Sequence, residues 1–396
     1  MIRKALIERI YDAASIQRWN DHVRPVEFTE LDKQAHKIII AYVIAKFEEG
    51  DRKAAIDWNI IIEGELFEFL QRVILTDIKP PVFHKMMQKS GAKLNQWILD
   101  KIGPELAEIN GNLIDNFKRY IFDPSFGIKE KRILKAAHYL ASNWEFKIIY
   151  HTCPFIYGIE NTKEEIENQI EDHYDIIGVQ KISLQKKSFG FIDLCGQLRF
   201  QKRWAQSPRI PQTSVLGHML VVAFLSYLCS KELKACNKRM YNNFFGALFH
   251  DLPEVLTRDI VSPVKSSIKG LEKIITEYEN IHIEERILPL LPLAWHDEMK
   301  YFLQDPFTNK IVVGGVKSGV STTDINKKYN TDEHRAIDGE LINVCDQLAA
   351  FIEASLSKSH GITSKHLTQA IDSIYKNNAS KKIGSLSLGS LFDYFK

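Results

Sequence analysis

Residues 244–265 read FFGALFHDLPEVLTRDIVSPVK. An apolar helical run, Phe244 to Phe249, leads directly into His250 and Asp251, with Pro253 and Glu254 just beyond. Neighbouring side chains on a helix diverge by about 100°, so His250 and Asp251 can face one point only at a helix end. Pro253 supplies that end. It disfavours helical geometry at Leu252 and suits the first turn of a new helix. An imidazole and a carboxylate brought together behind a core-like segment are the start of a site for a divalent ion.

Two more polar residues sit in equally apolar surroundings. His218 is flanked by Met219, Leu220 and Val222, and Asp346 lies in the run Val344 to Phe351. A lone buried His is usually a satisfied core residue, but a buried carboxylate needs a partner or a metal. Two imidazoles and two carboxylates from three helices form a nitrogen–oxygen donor set. Apolar residues recur at three- and four-residue steps over Leu31 to Phe47, Ile60 to Ile74, Val215 to Leu228 and Ile337 to Ala354, the helical period. The fold class is mainly α, with strand expected only near 311–322 and in the segment 181–200.

The chain also carries an internal repeat. An offset of 182 places His36 on His218, Gly64 on Gly246, Leu66-Phe67 on Leu248-Phe249, Asp77-Ile78 on Asp259-Ile260 and Asp123-Pro124 on Asp305-Pro306. Helical patterning alone would not fix the register of Asp, Pro and Gly. Beyond that point Lys135 to Phe146 resembles Asn343 to Ala354 at an offset of 208, pairing His138 with Asp346. The 26 extra residues fall in the Gly-containing stretch 305–330. Arg18-Trp19 and Arg203-Trp204 match three residues out of the first register. Two tandem helical domains are therefore expected, at 1–160 and 199–360, with a connector at 161–198 and a C-terminal helix and tail at 361–396.

The order His218, His250-Asp251, Asp346 resembles the H…HD…D signature of HD-domain metal-dependent phosphohydrolases. The string from His250 to Lys265 is similar, more narrowly, to the bacterial 5′-deoxynucleotidases of that superfamily: Glu254 three residues after Asp251, then Thr257-Arg258-Asp259 and Pro263-Val264-Lys265. Arg203-Trp204 matches their Arg-Trp pair, with Arg203 fifteen residues before His218. The resemblance covers residues 199–356 and reaches the first copy only faintly. Gly217 departs from it, because the family has an acidic residue before its first metal His, and the insertion at 305–330 has no family counterpart.

The resemblance implies an all-α pair of HD-like domains, the second catalytic. It implies one divalent ion (Mn, Co, Fe, Zn, Ni or Mg) on His218, His250, Asp251 and Asp346. Such an ion lowers the pKa of water and neutralises phosphoryl charge. It implies Glu254 as general acid–base, with Asp259 sharing that work or anchoring its loop. Arg203 and Lys265 would hold phosphate, and Trp204 would pack on sugar or base and leave no room for a 2′-hydroxyl. The first copy has Glu68, Phe69, Arg72 and His138 at the positions of His250, Asp251, Glu254 and Asp346, so it reads as a degenerate domain for packing, dimerisation or regulation. A rearranged zinc site on His36, Glu68 and His138 is the alternative.

Composition sets bounds. Lys and Arg number 52 against 50 Asp and Glu, a net charge of +2, which gives no bulk electrostatic reason for nucleic acid or membrane partners. Five cysteines without a CxxC pair argue against a zinc ribbon or a disulfide framework and fit buried thiols. The N-terminus is too charged for a signal peptide, and no apolar run approaches the ~20 residues of a membrane span. A cytoplasmic protein acting on a small phosphate ester is expected, with a homodimer left open. Gly314 to Gly319 lacks phosphate-loop spacing and reads as a turn, and His296-Asp297 as a solvated helical face. Competing functions are hydrolysis of another phosphate ester or signalling nucleotide, and nucleotide binding without turnover. Retention of Glu254 with all four ligands argues against the last.

Overall fold

The computed structural model describes residues 1–258, 268 and 270–396. It is mainly helical and divides into two compact units, Arg3–Asp193 and Leu194–Lys396.

In the first unit α1 (Lys4–Asp12), α2 (Glu30–Asp51), α3 (Trp58–Leu75), α4 (Pro80–Leu106), α5 (Leu113–Phe122) and α6 (Ile128–Thr152) follow one another. The Thr29 hydroxyl caps α2 by accepting from Asp32 N at 3.2 Å, and Glu30 and Asp32 complement the helix dipole there. Helix α2 is buried along nearly its whole length and packs on α6 and α3. The residues expected as a connector pack in this unit as well, in α7 (Ile159–Glu171), α8 (Ile177–Ser183) and most of α9 (Lys187–Gln197). The strand expected at 181–200 is not there. Two short helices meet instead at Gln185, whose φ of 54° breaks the first.

The second unit is built around α10 (Val215–Glu232) and α11 (Asn237–Phe249), which pack closely on each other. Ser214 caps α10 by accepting from Gly217 N at 2.9 Å. This helix is apolar on every side, as a helix at the centre of a core must be. Over 18 residues its mean hydropathy of 1.3 meets the length and composition of a membrane span, against the sequence expectation, yet 94% of it is buried inside the protein. A Cβ on Gly246 of α11 would lie 2.6 Å from Ile337 Cδ1, so glycine is what lets Ile337, just ahead of the helix Gly339–Ser359, come this close.

The stretch 305–330 forms a hairpin of β1 (Lys310–Val313) and β2 (Val316–Gly319). Gly314 and Gly315 turn it with φ of 56° and 82°, the two left-handed residues of the tight turn that suits strand twist. Ile311, Ile325 and Ala336 give it a small core of its own. His296–Leu303 is a helix with Asp297 exposed. The tail folds back, with the Phe392 ring 5.4 Å from that of Phe351. All five cysteines are free thiols; Cys195, Cys229 and Cys345 are buried, while Cys153 and Cys236 are half-buried.

Candidate active site

Three elements deliver the polar residues. His218 lies one turn into α10, four residues after its Ser214 cap, with its side chain fully buried. His250 stands where α11 ends, and Glu254 opens the one-turn helix α12 (Glu254–Thr257) directly after Pro253. The helix end expected from Pro253 is in place, and His250 and Asp251 occupy the junction. Asp346 comes from the helix Gly339–Ser359.

These side chains converge. His218 Nε2 is 2.8 Å from Asp346 Oδ1, and His250 Nε2 is 3.2 Å from Asp251 Oδ2 and 3.9 Å from Asp346 Oδ1. One ligand atom each from His218, His250 and Asp346 lie within 4.8 Å of one another. His250 Nδ1 donates to the Ala247 carbonyl at 2.6 Å. That bond fixes the ring's orientation and turns Nε2 inward. His250 Nε2 is buried beside the carboxylates of Asp251 and Asp346, on the side of the ring that Asp346 and His218 share. Donor types and spacing therefore fit a divalent cation on His218, His250 and Asp346, with Asp251 beside them.

The electrostatics point the same way. Burial works against a charge on His250, but Asp251 and Asp346 outweigh it and push its pKa up to about 10. Burial likewise opposes ionisation of Asp346, and the two imidazoles nevertheless hold it well below the carboxylate range. Two carboxylates pulling protons onto neighbouring imidazoles form a pocket that favours positive charge.

Around this centre, Arg203 Nη1 stands 3.8 Å from Asp251 Oδ2. The Arg203-Trp204 segment runs beside the start of α10 through the bridge Lys202–Ser214 and the bond from Arg203 N to Thr213 O at 3.0 Å. Trp204 has a φ of 59°, and its indole N–H donates to Glu353 Oε2 at 2.8 Å. Glu254 is 5% exposed, and its carbonyl accepts from Gln201 Nε2 at 3.1 Å. Asp259 and Lys265, and with them Pro263 and Val264, lie outside the described residues.

Glu353 was not anticipated. Fully buried, it accepts from Trp204 and from Thr213 Oγ1 at 2.8 Å, and it sits 3.4 Å from His218 Nδ1. Burial would raise its pKa, yet Arg209, His218 and Arg203 hold it far below the usual range. It orients the ring of His218 from behind, as a carboxylate does for many ligating imidazoles. The signal was available: Glu353 is a carboxylate in an apolar run two turns after Asp346, on the same helix face.

In the first unit the zinc alternative does not assemble. His36 is spent on the Ile192 carbonyl at 2.9 Å and on the edge of Trp144. Glu68 accepts from Lys37 and Tyr120, and His138 from Lys33. Among the described residues the only metal-ligand cluster is that of the second unit.

Comparison with known proteins follows this division. Residues 195–375 match the HD domain family model. A stretch of 130 residues is 28% identical to the 5′-deoxynucleotidase of Vibrio atlanticus (strain LGP32), covering 32% of this chain and 65% of that relative.

Proposed function

We propose, from the match of residues 195–375 to the HD domain family model and the likeness to a 5′-deoxynucleotidase, that this unit is a metal-dependent phosphohydrolase and that the chain releases phosphate from nucleoside 5′-monophosphates, with preference for deoxynucleotides. The observation that carries the reading is the convergence of one ligand atom each from His218, His250 and Asp346 within 4.8 Å, with buried Glu254 four residues after His250. A divalent ion bound there supplies positive charge for the phosphoryl oxygens and lowers the pKa of water.

The remaining work falls to the chain. His218, His250, Asp251 and Asp346 hold the ion. Glu254 takes the proton of the attacking water and returns one to the leaving 5′-oxygen, as a general acid–base at a fixed position. Arg203 meets the phosphate, with Lys265 as a second cation and Asp259 as a second carboxylate. The Trp204 ring closes the sugar pocket against a 2′-hydroxyl. Its single N–H is tied to Glu353, so the ring has a defined orientation from which to exclude that group.

A panel of ribo- and deoxynucleoside monophosphates, other phosphate esters and cyclic or signalling nucleotides, with Mn²⁺, Co²⁺ or Mg²⁺, tests this reading. Deoxynucleoside 5′-monophosphates should give the highest kcat/KM. Trp204→Ala should narrow the deoxy-to-ribo ratio by about tenfold or more, the scale on which a pocket discriminates one small group. An unchanged ratio in an active variant would remove Trp204 from sugar selection.

A further inference from the structure

The first unit repeats the local architecture of the second around different chemistry. In each, the Arg-Trp segment bridges the residue that caps the long buried helix, Gln17 to Thr29 and Lys202 to Ser214. Trp19 and Trp204 share a φ of 59°. Each indole N–H donates at 2.8 Å to a buried glutamate, Glu145 in one and Glu353 in the other. A Cβ on Gly64 would lie 2.8 Å from Leu134 Cδ1, and one on Gly246 would lie 3.3 Å from Ile342 Cδ1. Thr76 ends α3 with a φ of 58°, and Arg258 ends α12 with 64°. These landmarks are matched in order along both units and depend on no choice of alignment.

They also correct the register at the site. Counting four residues from the cap reaches His218 in α10 but Lys33 in α2, so Lys33 and not His36 is its counterpart. Where His218 meets Asp346, Lys33 Nζ meets His138 Nδ1 at 2.5 Å. One turn farther along α2, Lys37 Nζ lies 3.0 Å from Glu65 and 2.5 Å from Glu68, the residue at the place of His250. Phe69 stands for Asp251, and Arg72 for Glu254.

We infer that the first unit is a second copy of this architecture in which the side chains of Lys33 and Lys37 fill the place of the ion, so that this copy takes no divalent cation. Buried carboxylates demand a cation, and Lys37 provides one that is covalently tethered and cannot be exchanged. Burial lowers the pKa of Lys37, but Glu65 and Glu68 more than offset this and keep it an ammonium. Burial, reinforced by Lys33 and Arg72, pushes His138 far below the usual imidazole range, so it accepts from Lys33 as a neutral ring. Phe69 offers no lone pair. Arg72 cannot take a proton at any working pH.

The test is Mn²⁺ stoichiometry of chelator-stripped, reloaded full-length chain by equilibrium dialysis and elemental analysis. An Asp346→Ala background removes the second unit's ion from the count. That variant should hold no Mn²⁺. Adding Lys33→His, Lys37→Val, Glu68→His, Phe69→Asp and His138→Asp to it, which clears both lysines and transplants the second unit's ligand set, should restore about one ion per chain. A Mn²⁺ ion in the Asp346→Ala protein that Glu68→Gln then removes would overturn the inference, and this arm needs no graft to fold. A graft that keeps native helicity and cooperative melting but binds no Mn²⁺ would overturn it equally.

Discussion

Glu254→Gln is expected to slow phosphate release by about 10²–10⁴-fold while leaving the fold and the bound ion in place. The residue is buried at the first position of α12, and the amide keeps its shape while removing the proton-accepting oxygen. It is not required as a ligand, because His218, His250, Asp251 and Asp346 already offer four groups. Substrate affinity should change much less than turnover if phosphate charge is met by the ion, Arg203 and Lys265. Single-turnover kinetics with a parallel binding measurement separates the two. Near-normal turnover would pass the acid–base role to Asp259. Loss of the ion would make Glu254 a ligand and change the coordination set.

The second large effect concerns the ligands. Asp346→Ala removes the carboxylate that sits 2.8 Å from His218 Nε2 and 3.9 Å from His250 Nε2. His250→Ala removes the buried imidazole whose Nε2 lies 3.2 Å from Asp251 Oδ2 and 3.9 Å from Asp346 Oδ1. Loss of a group behind a ligand typically costs 10–100-fold in metal affinity, so loss of a ligand itself should cost more than about 10²-fold and abolish stoichiometric binding. His36→Ala should leave the ion untouched, because His36 is bonded to the Ile192 carbonyl in the first unit. Metal retained in both second-unit variants would refute the assignment of the site.

Much of this was legible before any coordinates, and the reasons differ by residue. His250 and Asp251 could be placed because Pro253 dictates a helix end and adjacent helical side chains otherwise diverge. Helices such as α10 were visible in periodicity, although an all-apolar helix gives no amphipathic stripe to say which side faces what. The segment 181–200 failed because short helices with apolar residues at mixed spacing imitate a strand, and the left-handed Gln185 between them leaves no mark in composition. On the correspondence inferred between the two units, the pairing of His36 with His218 gives way to Lys33 for a related reason. Identity of residue type won over position, whereas the caps Thr29 and Ser214 count to Lys33. Glu353 was overlooked because its partners Trp204 and Thr213 lie 149 and 140 positions away, a separation that no local pattern reveals. The first unit's lysines look like an ordinary helical face in sequence, and only their burial against Glu65, Glu68 and His138 shows otherwise.

If the second unit hydrolyses phosphate esters, it does so with the help of an ion held by His218, His250 and Asp346. Inorganic phosphate release from a deoxynucleoside 5′-monophosphate, measured on chelator-stripped wild type before and after reloading with Mn²⁺ or Co²⁺, tests it most directly. Release should be absent from the stripped protein, return with about one ion per chain, and remain absent from reloaded Asp346→Ala. Equal release by stripped and reloaded wild type, or none across the whole substrate panel with the ion bound, would contradict it.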